Sequence, residues 1–181
     1  MAARQAAEAA GLSAGEQALA APGGVHDLIE AFFDRAEREA RGIIASAPLK
    51  EMRVHERVAY GVRAWLDALA PHRGAVERAS GRAFWPTEAS EAVQRCWSVA
   101  DMVWDAIGDT SEDYNYYSKR TLLAAVIPPI VLYWQGEPES DALDGFISRR
   151  LKSAMTLGRT GGRFVKPFLD VLGGRGAAKE A

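Results

Sequence analysis

Apolar residues recur at intervals of three and four along almost the whole chain, and proline or glycine interrupts that rhythm before any one stretch grows very long. With 33 alanines and few β-branched runs, the pattern excludes an extended sheet and reads as helices throughout. The fold class is all-α. At 181 residues, with 48% hydrophobic and 25% charged residues, the chain matches one ordinary domain, and its composition is not that of a disordered chain.

Ala2–Ala10 reads as a short helix stopped by Gly11, and Ser13 with Glu16 has the spacing of a capping box for a second helix to about Ala20. After Pro22-Gly23-Gly24, the stripe from Val25 to Ile44 predicts a long amphipathic helix. Another helix is predicted from Leu49 to Ala70 and a short one from Gly74 to Arg82, with Phe84 and Trp85 docking on the core. Pro86-Thr87 should open a central helix reaching Ile107. Ser111 is the predicted cap of the next, in which Pro128-Pro129 predicts a kink or a break because both donors are lost. Ser140 is the predicted cap of a further helix, ended by Gly161-Gly162.

Several function classes fall away on composition. One cysteine, Cys96, cannot form an internal disulfide or a thiolate zinc cluster. His26, His55 and His72 lack the paired spacing of a metal site, and no nucleophile elbow or phosphate loop is present. Neither a catalytic residue, a metal nor a cofactor is therefore expected. A net charge of −2 gives no global attraction to polyphosphate. The longest apolar run, Leu122–Trp134, is shorter than the roughly 20 residues of a spanning helix. Residues 1–8 lack the apolar stretch of an export signal, so the expected location is a bacterial cytoplasm, or the mitochondrial matrix in a eukaryote.

The order of residues 6–24, helix, tight turn, helix and Pro-Gly-Gly, resembles the later half of the reading head of TetR-family repressors. The helix that would enter the major groove carries Glu16 and Gln17 but no Lys or Arg, which disfavours nucleic-acid binding. The expectation is a TetR-like bundle with a degenerate helix-turn-helix whose first helix is missing from the N-terminus. A ligand-responsive regulator is the alternative function. Residues 1–24 would be the remnant, 25–160 a helical domain and 161–181 an amphipathic tail. From Arg149 to Arg175 there are seven basic residues and one acid, beside the apolar positions Phe164, Val165, Phe168, Leu169 and Leu172. Such a mixture suits either a helix lying on anionic lipid or a last helix docked on the core.

From about Val62 to Gly174 the chain resembles the COQ-nine family of ubiquinone-biosynthesis accessory proteins. The strongest stretch is Ser98–Val126, around Gly108-Asp109-Thr110-Ser111-Glu112-Asp113-Tyr114-Asn115-Tyr116-Tyr117-Ser118-Lys119-Arg120, supported by Phe146–Leu151 and Ala154–Gly158. The resemblance implies a TetR-like fold without DNA binding, an isoprenoid or quinone lipid held in the core, contact with a membrane surface, and a complex with the di-iron demethoxyubiquinone hydroxylase. It also implies that Tyr116 and Tyr117 form an exposed patch for that hydroxylase, with Asp113, Asn115 and Arg120 completing the run. Some relatives have Trp where this chain has Tyr116. Helix phase names Trp65, Leu69, Met102, Val103, Leu123, Ile127, Ile130 and Trp134 as candidates to line the lipid site. Arg163, Phe164, Lys166, Phe168 and Leu169 are the membrane-binding candidates. A homodimer is expected by analogy with the pairing of TetR-like folds.

Overall fold

A computed structural model describes residues 2–82 and 89–160; the side chains of residues 2, 3, 82, 113, 114 and 157–160 lie outside the description. Among the described residues there are eight α-helices and no strand: α1 (Ala2–Ala9), α2 (Ala14–Ala20), α3 (Val25–Ala45), α4 (Val54–Leu69), α5 (Arg73–Arg82), α6 (Ala89–Ala106), α7 (Asp113–Gln135) and α8 (Ser140–Thr160). Helices α3, α4, α8, α7 and α6 close a ring in that order, each packed on the next, and α4 also touches α6 across the middle. The shared core includes Ile44, Val62, Leu66, Leu69, Met102, Val103, Ile130 and Ile147, all fully buried.

The capping box at the start of α2 forms as the spacing requires. Ser13 N–H donates to the Glu16 carboxylate at 2.8 Å, and Glu16 N–H donates to the Ser13 hydroxyl at 3.3 Å. Gly11 ends α1 with a φ of 71°, and the following N–H, that of Leu12, reaches back to the Ala7 carbonyl. Gly108 repeats the device at the end of α6, with a φ of 80° and Asp109 N–H donating to the Trp104 carbonyl at 3.0 Å. That turn carries Asp109 toward the start of α7.

Four features differ from the sequence expectation. The helix predicted over 49–70 is divided: Leu49–Glu51 is a single 3-10 turn, Met52 is extended, and α4 begins only after Arg53. The reason is local, because Glu56 accepts the Arg53 N–H at 2.7 Å and Arg57 Nε donates to the Met52 carbonyl at 2.9 Å, so a fresh helix start outcompetes continuation. Ser111 does not cap α7. Glu112 occupies the cap position while the Ser111 hydroxyl turns to Asp109 at 2.9 Å. Pro128 and Pro129 do not break α7, which runs on as one helix; only two backbone donors are lost, and packing of the same turns by Ile127, Ile130 and Val131 in the core holds them in place. Ser140, the predicted cap of α8, is instead its first residue, and its hydroxyl accepts from Arg63 at 3.0 Å. Phe84, Trp85, Pro86, Thr87 and the Gly161-Gly162 stop lie outside the described residues.

α4 and α6 approach closely because Gly61 offers no side chain. A Cβ there would sit 2.8 Å from Val103 Cγ1, and Val103 is both stiff and fully buried. Gly61→Ala is therefore expected to destabilise the fold by about 1 kcal/mol, the overpacking cost exceeding the gain in helix propensity. Thermal unfolding should show a midpoint about 2–4 °C lower.

Candidate functional site

Two features near the α6–α7 pair bring chemistry-bearing side chains together. The first is a charged and aromatic cluster built on the Gly108 turn. Arg120, about two turns into α7, is only 3% exposed. Its Nε donates to Asp101 of α6 at 2.5 Å, its Nη1 lies 3.6 Å from Asp109, and its guanidinium sits 3.5 Å from the centroid of the Tyr116 ring. Lys119 donates to Asp109 at 2.8 Å and to the Ser111 hydroxyl at 2.5 Å, and its ammonium lies 4.9 Å from the centre of the Trp104 ring. Burial alone would push the Asp109 carboxyl up, but hydrogen bonds from Lys119 and Ser111 and the charges of Lys119 and Arg120 outweigh it and hold Asp109 below its usual range. The Tyr116 hydroxyl donates to Asp101 at 3.0 Å, which together with partial burial raises the pKa of that phenol.

This network fixes what the patch shows to solvent. Tyr117 is 52% exposed, meets Tyr116 edge to face at 5.2 Å and stacks beside Trp97 of α6 at 6.4 Å. Asn115 is exposed beside it. Arg120 is not at the surface with them. It lies beneath, because Asp101 and Asp109 compensate its charge inside the fold. Tyr116 is half-buried with its hydroxyl tied to Asp101 and one face covered by Arg120. The side chain of Asp113 lies outside the description. Trp97 of α6 thus joins Tyr117 at the patch.

The second feature is an apolar cavity of about 140 Å³ between α3, α4, α5, α6 and α7. Phe33, Trp65, Val76, Val99, Ile127 and Val131 form its apolar walls, and Ser80, Arg95 and Cys96 supply the polar atoms. α5 is pinned over it: Ser80 accepts from Gln135 at 3.1 Å, while Arg73 donates to the Trp134 carbonyl and stacks 4.0 Å from the Trp134 ring centre. Burial pushes the Cys96 thiol up to about 11, so it stays protonated and unreactive at neutral pH. Of the residues named from helix phase, Trp65 and Ile127 stand in this wall. Leu69, Met102, Val103, Leu123, Ile130 and Trp134 are buried in the packed core and are not among its lining residues. A wider groove of about 900 Å³ runs between α4 and α8, crossed by the Arg63 to Asp144 ion pair at 2.6 Å. Arg163, Phe164, Lys166, Phe168 and Leu169 lie outside the described residues. No three His, Cys, Asp or Glu side chains converge to hold a metal ion among the described residues.

The family model described as COQ9 matches residues 89–158, the stretch that contains α6, α7 and nearly all of α8. The chain is 23% identical to the human ubiquinone biosynthesis protein COQ9, mitochondrial, over 128 residues, which are 70% of this chain and 40% of that protein. It is 31% identical over 65 residues to the proteins of the same name from Rattus norvegicus and Bos taurus, covering 35% of this chain and 21% and 20% of those proteins. The chain thus spans well under half the length of the curated relatives it matches. Through the helices that carry both the aromatic patch and one side of the cavity, the chain is similar to the COQ9 family.

Proposed function

We propose that the chain serves ubiquinone biosynthesis as an accessory protein without chemistry of its own. It holds an isoprenoid quinone precursor and presents it, at a membrane surface, to the di-iron demethoxyubiquinone hydroxylase. The observation that carries this reading is the overlap of the family match, residues 89–158, with the helices that build the Tyr117 patch and half of the cavity wall. The patch has the make-up of a partner surface, an exposed aromatic anchor held rigid by ion pairs behind it. The cavity supplies apolar walls of the kind that part of a lipid substrate would contact outside the bilayer. No helix among the described residues is long and apolar enough to cross a membrane, which is compatible with peripheral attachment. The basic and apolar tail, through Arg163, Phe164, Lys166, Phe168 and Leu169, is the proposed membrane contact, on the cytoplasmic face of a bacterial inner membrane or its mitochondrial counterpart. Replacing Phe164, Phe168 and Leu169 with Ser should abolish flotation with anionic liposomes. The regulator alternative has no support at α2, whose seven residues contain no Lys or Arg.

Mass spectrometry of lipids extracted from the natively purified protein tests the reading. The wild type should yield a quinone intermediate or another isoprenoid, and Ala79→Phe, which places a ring in the cavity from α5, should yield much less while remaining folded. Empty preparations that also fail to bind an added long-chain quinone would overturn it.

A further inference from the structure

The groove between α4 and α8 changes character along its length. Arg63 bonds both Ser140 and Asp144, which makes the end beside the start of α8 polar. Toward the end of α8 the walls become apolar, through Met52, Ala59, Tyr60, Ile147, Leu151 and Met155. Ile147 and Leu151 form a buried floor there, while Met155 is 55% exposed. From Ile147 to Met155 this apolar stretch is about 12 Å long. Among the strongly charged residues that line the groove, the acids Glu56 and Asp144 balance the bases Arg63 and Lys152.

α8 ends at Thr160, little more than one turn past Met155, and the chain continues through Gly161-Gly162 into Arg163-Phe164-Val165-Lys166-Pro167-Phe168-Leu169-Asp170-Val171-Leu172. Residues 164–172 would span about 14 Å as a helix and about 30 Å extended, enough to cover the apolar stretch in either form. We propose that this segment of the same chain is the occupant of the groove. It turns back at the two glycines, which have no Cβ to oppose a tight reversal, and lays Phe164, Phe168 and Leu169 along Leu151 and Met155. Apolar contact alone makes the seat, because the charges lining the groove cancel and offer Arg163 and Lys166 no net attraction. An anionic membrane offers the same segment apolar contact and a negative surface together, so the segment leaves the groove for such a surface and stays in it beside a zwitterionic one. The groove is thus a switch that keeps the membrane contact covered until anionic lipid is met. That the segment binds membranes rests on the function proposed above; the groove, its apolar end and its nearness to residue 160 do not.

Photocross-linking on the full 181-residue chain tests the seat. A benzophenone-bearing phenylalanine placed at Phe168 is irradiated in a mixture of unlabelled and heavy-isotope-labelled chains, and the products are mapped by mass spectrometry. Without lipid, cross-links should join that position to residues 147–156 of α8 or 52–60 of α4, within one chain. Vesicles of phosphatidylglycerol should lower their yield about tenfold while the chain floats with them, and vesicles of phosphatidylcholine should leave it unchanged. Met155→Glu puts a charge at a half-exposed position of the apolar end. It should lower the cross-link yield about fivefold and raise flotation at limiting phosphatidylglycerol about threefold, with thermal melting unchanged. Cross-links elsewhere on the chain would overturn the inference. Cross-links between light and heavy chains would make a second copy the occupant and overturn it as well, as would groove cross-links that persist on vesicles to which the chain has floated. Flotation without any groove cross-link would overturn it while leaving the proposed membrane contact intact. Groove cross-links in a chain that floats with no vesicle would uphold the seat and overturn the membrane contact.

Discussion

Arg120→Ala is expected to cost about 3 kcal/mol of stability and to lower the thermal midpoint by about 6–12 °C. Removing one member of a buried ion pair leaves the other uncompensated, and here the pair is anchored on both sides. Asp109 is almost enclosed, with its side chain only 9% exposed, whereas Asp101 can rehydrate, which places the cost at the lower end of the range for broken buried pairs. Loss of the guanidinium from the Tyr116 ring adds to it. The effect has a sign in pH. Because the folded carboxyl of Asp109 titrates below its unfolded value, it contributes stability that is present above the unfolded value near pH 4 and is lost as pH falls through the folded one. In Arg120→Ala one of the charges holding that carboxyl down is gone while burial remains. Acid unfolding should therefore begin at a higher pH than in the wild type. Urea denaturation at neutral and mildly acidic pH measures both effects, and equal midpoints for the two proteins would contradict the structural role assigned to Arg120.

Tyr117→Ala should do the opposite, leaving stability within about 0.5 kcal/mol of the wild type while weakening hydroxylase binding roughly 30-fold or more. Tyr117 is half exposed and takes part in none of the ion pairs, so its removal leaves the Arg120 network standing. It is also the ring that the network presents, fixed by the Tyr116 edge and the neighbouring Trp97. Surface plasmon resonance against the purified hydroxylase gives the affinity, and a parallel melting curve establishes that the loss is not unfolding. Unchanged affinity would move the docking surface elsewhere.

The periodic part of this fold was legible from the amino-acid order. α3 extends over Val25–Ala45, one residue past the predicted stripe, and the Ser13 and Glu16 spacing produced the cap it specifies. Those features are local, settled within four residues by helix geometry and backbone donors. What local pattern did not show is compensation from a distance. Arg120 lies in a polar run and reads as exposed, yet Asp101 and Asp109, on another helix and a turn, make its burial possible. Pro128-Pro129 reads as a break, and tertiary packing overrides it. The cavity was the least legible, because phase identifies which residues face inward but not where the facing side chains fail to meet. Thus Trp65 and Ile127 reach the void and Leu69, Met102 and Ile130 do not. Arg95 and Ser80 at its wall are polar residues that no apolar stripe would have nominated.

The account stands or falls on delivery. A quinone precursor embedded in anionic vesicles, the hydroxylase, and this chain as wild type, Tyr117→Ala or Ala79→Phe can be combined, and hydroxylated product followed by mass spectrometry over time. The account predicts that the wild type accelerates product formation, that Ala79→Phe fails because the cavity is filled, and that Tyr117→Ala fails because it cannot dock. Product forming at the same rate with either variant as with the wild type, or with no added chain at all, would contradict it.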